Sequence, residues 1–209
     1  HIVRLVDSCQ FDTVYHEHFS YLSLLSVEKV FEASGLRVFH VESLSTHGGS
    51  IRVYGCHADS AIAEKQSVED IRRDEATRGL HTSAYYQDFQ ARADAAKNGF
   101  LRFLLAAKAA GESVAGYGAA AKGNTLMYYA GIKPDLMPFV SDAAAAKIGT
   151  YMPGSHIPIL APEALRTHRP DYLVIFPWNI VSEVKAQCAD LANLGTRFVT
   201  AIPELKVDV

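Results

Sequence analysis

A chain of 209 residues with 49% hydrophobic and 21% charged side chains can bury a sizeable core in one or two domains, which excludes disorder and collagen-like repeats. Twenty basic against 23 acidic residues leave a net charge of -3 with no Lys/Arg run, so nucleic acid is not an expected partner. The apolar stretches, such as Tyr172 to Trp178, are far shorter than a membrane span, and the expectation is a soluble, cytoplasmic protein without a membrane partner. Three widely spaced cysteines, Cys9, Cys56 and Cys188, fit reduced thiols better than a disulfide framework or a zinc knuckle. The chain starts at His1 and reaches its first methionine at Met127, so it is expected to be part of a longer protein.

In chain order, Leu24 to Ser34 has helical spacing (Leu24, Val27, Val30, Phe31) and a stop at Gly35. Alternation then takes over around Val38 to Glu42 and returns at Ile51 to Tyr54 after Ser45-Thr46-His47-Gly48-Gly49, which predicts a β-hairpin with a glycine-bearing turn. From Asp59 to Ala110 the sequence is rich in Ala, Glu, Lys, Arg and Gln. It predicts a short helix, an interruption near Gly79, and a long helix with Tyr85, Phe89, Ala93, Ala96, Phe100, Leu104 and Ala107 on its apolar face.

The last hundred residues alternate strand and helix. Strands are predicted at Val114 to Tyr117, Met137 to Asp142, Tyr172 to Phe176 and Arg197 to Thr200. Helices are predicted at Ala120 to Tyr129, from Pro162, and from Ser182 to Leu194. That order predicts an α/β fold with a parallel sheet and right-handed crossovers. The expected division is 1–57 (helix and hairpin), 58–107 (helical connector) and 108–209 (Rossmann-like domain).

Two segments carry candidate chemistry. Gly116-Tyr117-Gly118-Ala119-Ala120-Ala121 fits G-x-G-x-x-G/A between a strand and a helix, where glycines let backbone approach a phosphate and helix amides face it. Lys122, Gly123 and Asn124 follow on the first turn, and Asp142 ends the next strand, near the position of a ribose-binding acid. The same glycines also suit plain close packing of strand and helix.

Tyr15-His16-Glu17-His18 is the densest cluster of proton-transfer groups. A histidine can remove a proton beside a carbonyl while a tyrosine or second histidine donates to the enolate oxygen. A metal held by His16 and His18 with His47 or His57 is the competing use, weakened by the absence of a thiolate pair or a helical His-x-x-x-His.

Tyr15 to Tyr21, His47 to Val53, and Gly116 to Asn124 together resemble, in this order, signatures of the S-adenosylmethionine-dependent nucleotide-sugar C-methyltransferases. Asp142, Lys147, Gly149, Pro153-Gly154, Pro158-Ile159, Asp171-Tyr172 and Pro177-Trp178-Asn179 extend the similarity over nearly the whole chain. The resemblance implies that residues 1–57 end the sheet of a class I methyltransferase domain and that 108–209 bind a nucleotide-diphosphate sugar through Gly116, Tyr117, Gly118, Lys122, Gly123, Asn124, Asp142, Lys147, Trp178 and Asn179. It implies methylation beside the keto group of a 4-keto-6-deoxy sugar through an enolate, with His18 as base, Glu17 as its orienting neighbour, Tyr15 and His16 as hydrogen-bonding support, and His47 as the second candidate base. S-adenosylmethionine is expected to be bound mainly upstream of this chain, where the family's zinc-binding cysteines also lie, and no metal site is expected here. Ala143-Ala144-Ala145-Ala146 departs from the family's usual Asn-Pro pair after Asp142 and removes polar groups near the nucleotide. The alternative is an NAD(P)-type dinucleotide-binding domain of an oxidoreductase or sensor, which gives Tyr15 to Phe19 no role.

Overall fold

The computed structural model describes residues 1–208. The chain divides into two compact units, one formed by His1–Cys9 with Glu17–Gln90, the other by Gln10–His16 with the chain from Ala91 onward. The short Gln10–His16 segment therefore belongs with the C-terminal part of the sequence.

The first unit contains helix α1 (Ile2–Asp7), α2 (Leu24–Ala33), strands β1 (Leu36–Leu44) and β2 (Ser50–His57), and α3 (Gln66–Arg78). Ser23 caps α2, its hydroxyl accepting from the Ser26 amide at 3.0 Å. The strands form the expected antiparallel hairpin, whose register shifts between Val38 and His40. That bulge is why Val38 and Val41, three positions apart, are both buried: the extra residue resets the alternation, and both join Leu24 and Val68 in the core beneath the helices. Gly55 makes this packing possible, since a Cβ there would lie 2.3 Å from the Phe31 ring. Glu75 of α3 is 3% exposed, and its carboxylate accepts the Leu24 and Leu25 amides at 2.7 and 2.9 Å and contacts His1 Nε2 at 3.0 Å. It closes the N-terminus of α2, where amides lack helical partners and the dipole favours negative charge. α3 stops at Gly79, which has φ 76°.

The second unit is an α/β layer structure. Helix α4 (Phe89–Ala109), which enters this unit at Ala91, buries Ala93, Ala96, Phe100, Leu104 and Ala107 as its periodicity predicts, whereas Tyr85, expected on the same face, lies before the helix in the 3-10 turn Ser83–Tyr86. Then come β3 (Val114–Tyr117), α5 (Ala121–Ala130), β4 (Val140–Ser141), β5 (Ile159–Leu160), α6 (Glu163–His168), β6 (Tyr172–Ile175), α7 (Val181–Gln187), α8 (Ala189–Asn193), β7 (Arg197–Thr200) and β8 (Lys206–Asp208). The sheet order is β5-β4-β3-β6-β7-β8; the first five strands are parallel and β8 runs antiparallel at the edge. All four residues of β6 are buried, as a parallel strand covered on both faces requires. Leu173, Ile175, Leu165, Val184, Leu191 and Phe198 fill the core on one face.

Two further local expectations shift. The strand predicted over Met137 to Asp142 pairs only at Val140–Ser141. The helix predicted from Ser182 to Leu194 is two helices, interrupted at Cys188. α1, β5 and the antiparallel β8 were not anticipated.

Candidate functional site

Because β4 and β6 flank β3 on opposite sides, the chain order reverses between β3 and β6, and the crevice at their carboxyl ends is where open α/β sheets bind ligands. The Gly116 turn leaves β3 there, and Phe176-Pro177-Trp178-Asn179 leaves β6.

The turn is tightly held. Gly118, at φ 90°, donates its amide to the Ser141 carbonyl at 2.7 Å, and the Ala119 amide donates to Asp142 Oδ2 at 2.8 Å. Lys147 Nζ braces the same point, donating to Asp142 Oδ2 at 3.2 Å and to the Ala119 carbonyl at 2.9 Å, while Asp142 Oδ1 accepts the Ala144 amide at 2.8 Å. Asp142 Oδ2 thus ties the turn to its brace, and Oδ1 holds the segment that follows β4. The glycines meet neighbouring side chains: a Cβ on Gly116 or Gly123 would lie 2.7 Å from the Phe176 side chain, and one on Gly118 would lie 2.7 Å from Pro177 Cδ. Tyr117 donates its hydroxyl to Gln187 Oε1 of α7 at 3.0 Å.

Charge collects one turn further on. Lys122, 9% exposed, donates from Nζ to Asn179 Oδ1 at 2.9 Å and lies 4.2 Å above the centre of the Trp178 ring. The Trp178 indole N–H in turn donates to Asp12 Oδ2 at 2.7 Å. Asp12 sits in the 3-10 turn Phe11–Thr13, is 1% exposed, and has no partner for Oδ1. Burial pushes its carboxyl up to about 6 against the opposing pull of the Trp178 hydrogen bond and the Lys122 ammonium. Burial also draws Lys122 below the ordinary lysine value, with Asp12 opposing. Asn124 Oδ1, on the first turn of α5, and Ser141 Oγ are likewise buried without partners. Asp12 Oδ1 and Asn124 Oδ1 are acceptors, so what this part of the crevice offers an anionic ligand is the Lys122 ammonium.

Sequence reasoning named Lys122, Trp178, Asn179 and Asn124, and the structure brings the first three together. It missed Asp12, which no motif marks and whose partner Trp178 lies 166 positions away.

The proton-transfer cluster is divided. Tyr15 and His16 fall in the second unit, and Glu17 and His18 in the first. The backbone bends at Tyr15 and turns at His16 and Glu17, so the cluster is not a strand. His16 and Glu17 are exposed, and the half-buried His18 ring meets Tyr21 edge-on, with centroids 6.4 Å apart. His47 is exposed at the hairpin tip with φ 55°, a left-handed conformation uncommon outside glycine. Among the described residues, no three His, Cys, Asp or Glu side chains gather as a metal-binding group. No described helix is long and apolar enough to cross a membrane.

The chain is similar to the C-methyltransferase NovU of Streptomyces niveus, with 36% identity over 207 residues that cover 99% of this chain and 49% of that protein. It therefore spans about half the length of the curated relative it matches. The family described as C-methyltransferase C-terminal domain matches residues 45–203, which include both loops of the crevice. By that match, and by a relative aligned over almost all of its residues, the chain belongs to the C-methyltransferase C-terminal domain family.

Proposed function

We propose that this chain is the substrate-handling portion of an S-adenosylmethionine-dependent C-methyltransferase that acts on a 4-keto-6-deoxy nucleotide-sugar. The observation that carries the reading is the cluster at the β3/β6 switch point in which buried Lys122 and Asp12 meet half-buried Trp178 and exposed Asn179, a cationic and aromatic surface beside the start of α5. A diphosphate is the ligand chemistry that suits it: Lys122 supplies the charge, the opening amides of α5 have no helical carbonyl to reach, and Trp178 offers a flat face. Asp142 and Lys147 act on the ligand indirectly, by fixing the turn that starts α5.

The Gly116 turn leaves little room for S-adenosylmethionine or a dinucleotide. Pro177 packs on Gly118, Phe176 packs on Gly116 and Gly123, and a carboxylate already occupies the Ala119 amide. The methyl donor is assigned to parts of the protein outside this chain. The same closure argues against the dinucleotide-binding alternative.

This chain's own chemistry ends at the enolate. A proton beside a ketone is acidified only if a base reaches that carbon and donors face the ketone oxygen. His18 takes the proton, Glu17 orients it, and Tyr15 and His16 donate to the oxygen; the turn at His16 and Glu17 frees these neighbours from the alternating faces of a strand. Exchange of the α-proton with deuterated solvent, followed in the intact protein, tests this. His18→Asn is expected to slow exchange by roughly 10²- to 10⁴-fold with little change in substrate affinity. Exchange at the wild-type rate would move the base elsewhere, with His47 next to replace.

A further inference from the structure

Asp12 is a costly residue in its place. Carboxylates that are 1% exposed are ordinarily saturated with hydrogen bonds, yet here one oxygen has the Trp178 indole and the other has nothing. The turn that carries it packs on α5, so Asp12 and Lys122 sit in one water-poor region. Other ionisable groups on the packed elements are Tyr128 and Tyr129 of α5. Phe11 touches the Tyr129 ring at 5.6 Å, and Asp94 and Lys97 of α4 contact Tyr129 in turn. Trp178 and Asn179, from the loop after β6, carry no charge. Lys122 is thus the cation that acts on Asp12.

We propose that Asp12 is a positioning residue for the diphosphate: before binding it holds the Trp178 indole and balances the Lys122 ammonium, and it takes a proton from solvent when the diphosphate reaches Lys122. The inference rests on the diphosphate reading of the crevice. Its physical basis is electrostatic. An anion at Lys122 cancels the field that keeps Asp12 ionised and adds a like charge nearby, and both effects favour the neutral acid. The neutral acid keeps its acceptor for Trp178 and leaves Lys122 to the ligand. Because the carboxyl already titrates at about 6, the coupling operates close to neutral pH.

The test is calorimetric titration of the intact protein with a nucleoside diphosphate glucose, each common base in turn, in buffers of different ionisation enthalpy. Both phosphates of this probe are esterified, so it brings no proton that titrates near neutrality. Wild type is expected to take up roughly half a proton per ligand near pH 6.5 and almost none at pH 8.5, and to lose affinity by about tenfold between pH 6 and 8. Asp12→Asn, which keeps an acceptor for the indole, is expected to show no such uptake and a flat affinity. Trp178→Phe removes the largest of the hydrogen bonds that favour the ionised form, and should move the uptake window to higher pH; it provides the readout if Asp12→Asn does not fold. Binding without buffer-dependent uptake, uptake that survives Asp12→Asn, or an unmoved window in Trp178→Phe overturns the role of Asp12 and leaves the crevice reading intact. Failure of wild type to bind any of the probes overturns the crevice reading, and this inference with it.

Discussion

Each unit buries one carboxylate almost completely, and the two are treated in opposite ways. Glu75 in the first unit, 3% exposed, receives two backbone amides at a helix start and His1 besides. Asp12 in the second unit, 1% exposed, receives one indole N–H and keeps an oxygen with no partner. Burial is therefore common to a structural acid and to a functional candidate; what separates them is whether the surrounding protein completes their hydrogen bonds. Glu75 is finished by the fold, whereas Asp12 is left in a state that a ligand at Lys122 can change.

The largest effect that follows from this contrast falls on Glu75. Glu75→Ala strands two buried amides and removes the anion at the start of α2, and should cost about 2–4 kcal/mol in urea unfolding of the intact protein. Glu75→Gln, which keeps one acceptor, should cost less than half of that. A loss below about 0.5 kcal/mol for Glu75→Ala would show that its hydrogen bonds are not what closes the helix.

Asp12 should leave a signature in pH rather than in magnitude. Its carboxyl is raised from 3.8 to about 6 in the folded protein, so the native state holds more protons than the unfolded chain within that window. Stability supplied by the neutral acid is present below about pH 4 and is lost as pH rises through about 6, by up to about 3 kcal/mol. The difference in unfolding free energy between wild type and Asp12→Asn, measured at pH 4.5 and 7.5, isolates this component from the other carboxylates. A difference that does not change with pH contradicts the raised carboxyl. Trp178→Phe should extend the wild-type slope to higher pH, since the ionised form loses more from the missing donor than the neutral acid does, with an added cost of about 1–3 kcal/mol at neutral pH.

The same contrast explains what the sequence could disclose. Helix α4 announced itself because Ala93, Ala96, Phe100, Leu104 and Ala107 repeat at the helical period and are in fact its buried face. The parallel sheet was legible from apolar runs such as Tyr172–Ile175 alternating with helices. β4 and β5 pair over two residues each, too short for any period, and the break at Cys188 has no glycine or proline to signal it. At the site, the glycine pattern was easy to see, but its reason is mainly the approach of Phe176 and Pro177 to the turn. Lys122 was visible as the residue following that pattern. Asp12 was not, because its environment is built by α5 and the loop after β6, more than a hundred positions later, and a local reading has no access to desolvation.

On the proposed function the ligand is held at Lys122, in the cluster with Trp178 and Asn179, and not by the glycine turn, and two lysines separate these possibilities. Lys122 points into the cluster at Trp178 and Asn179, while Lys147 is spent on Asp142 and the Ala119 carbonyl. Affinity for a nucleoside diphosphate glucose, measured in the intact protein for Lys122→Met and Lys147→Met, is the direct test. The account predicts a loss of about 10- to 100-fold for Lys122→Met, the size of a charge-assisted contact, and a change within about threefold for Lys147→Met. Full affinity in Lys122→Met, with the loss appearing in Lys147→Met instead, would contradict it.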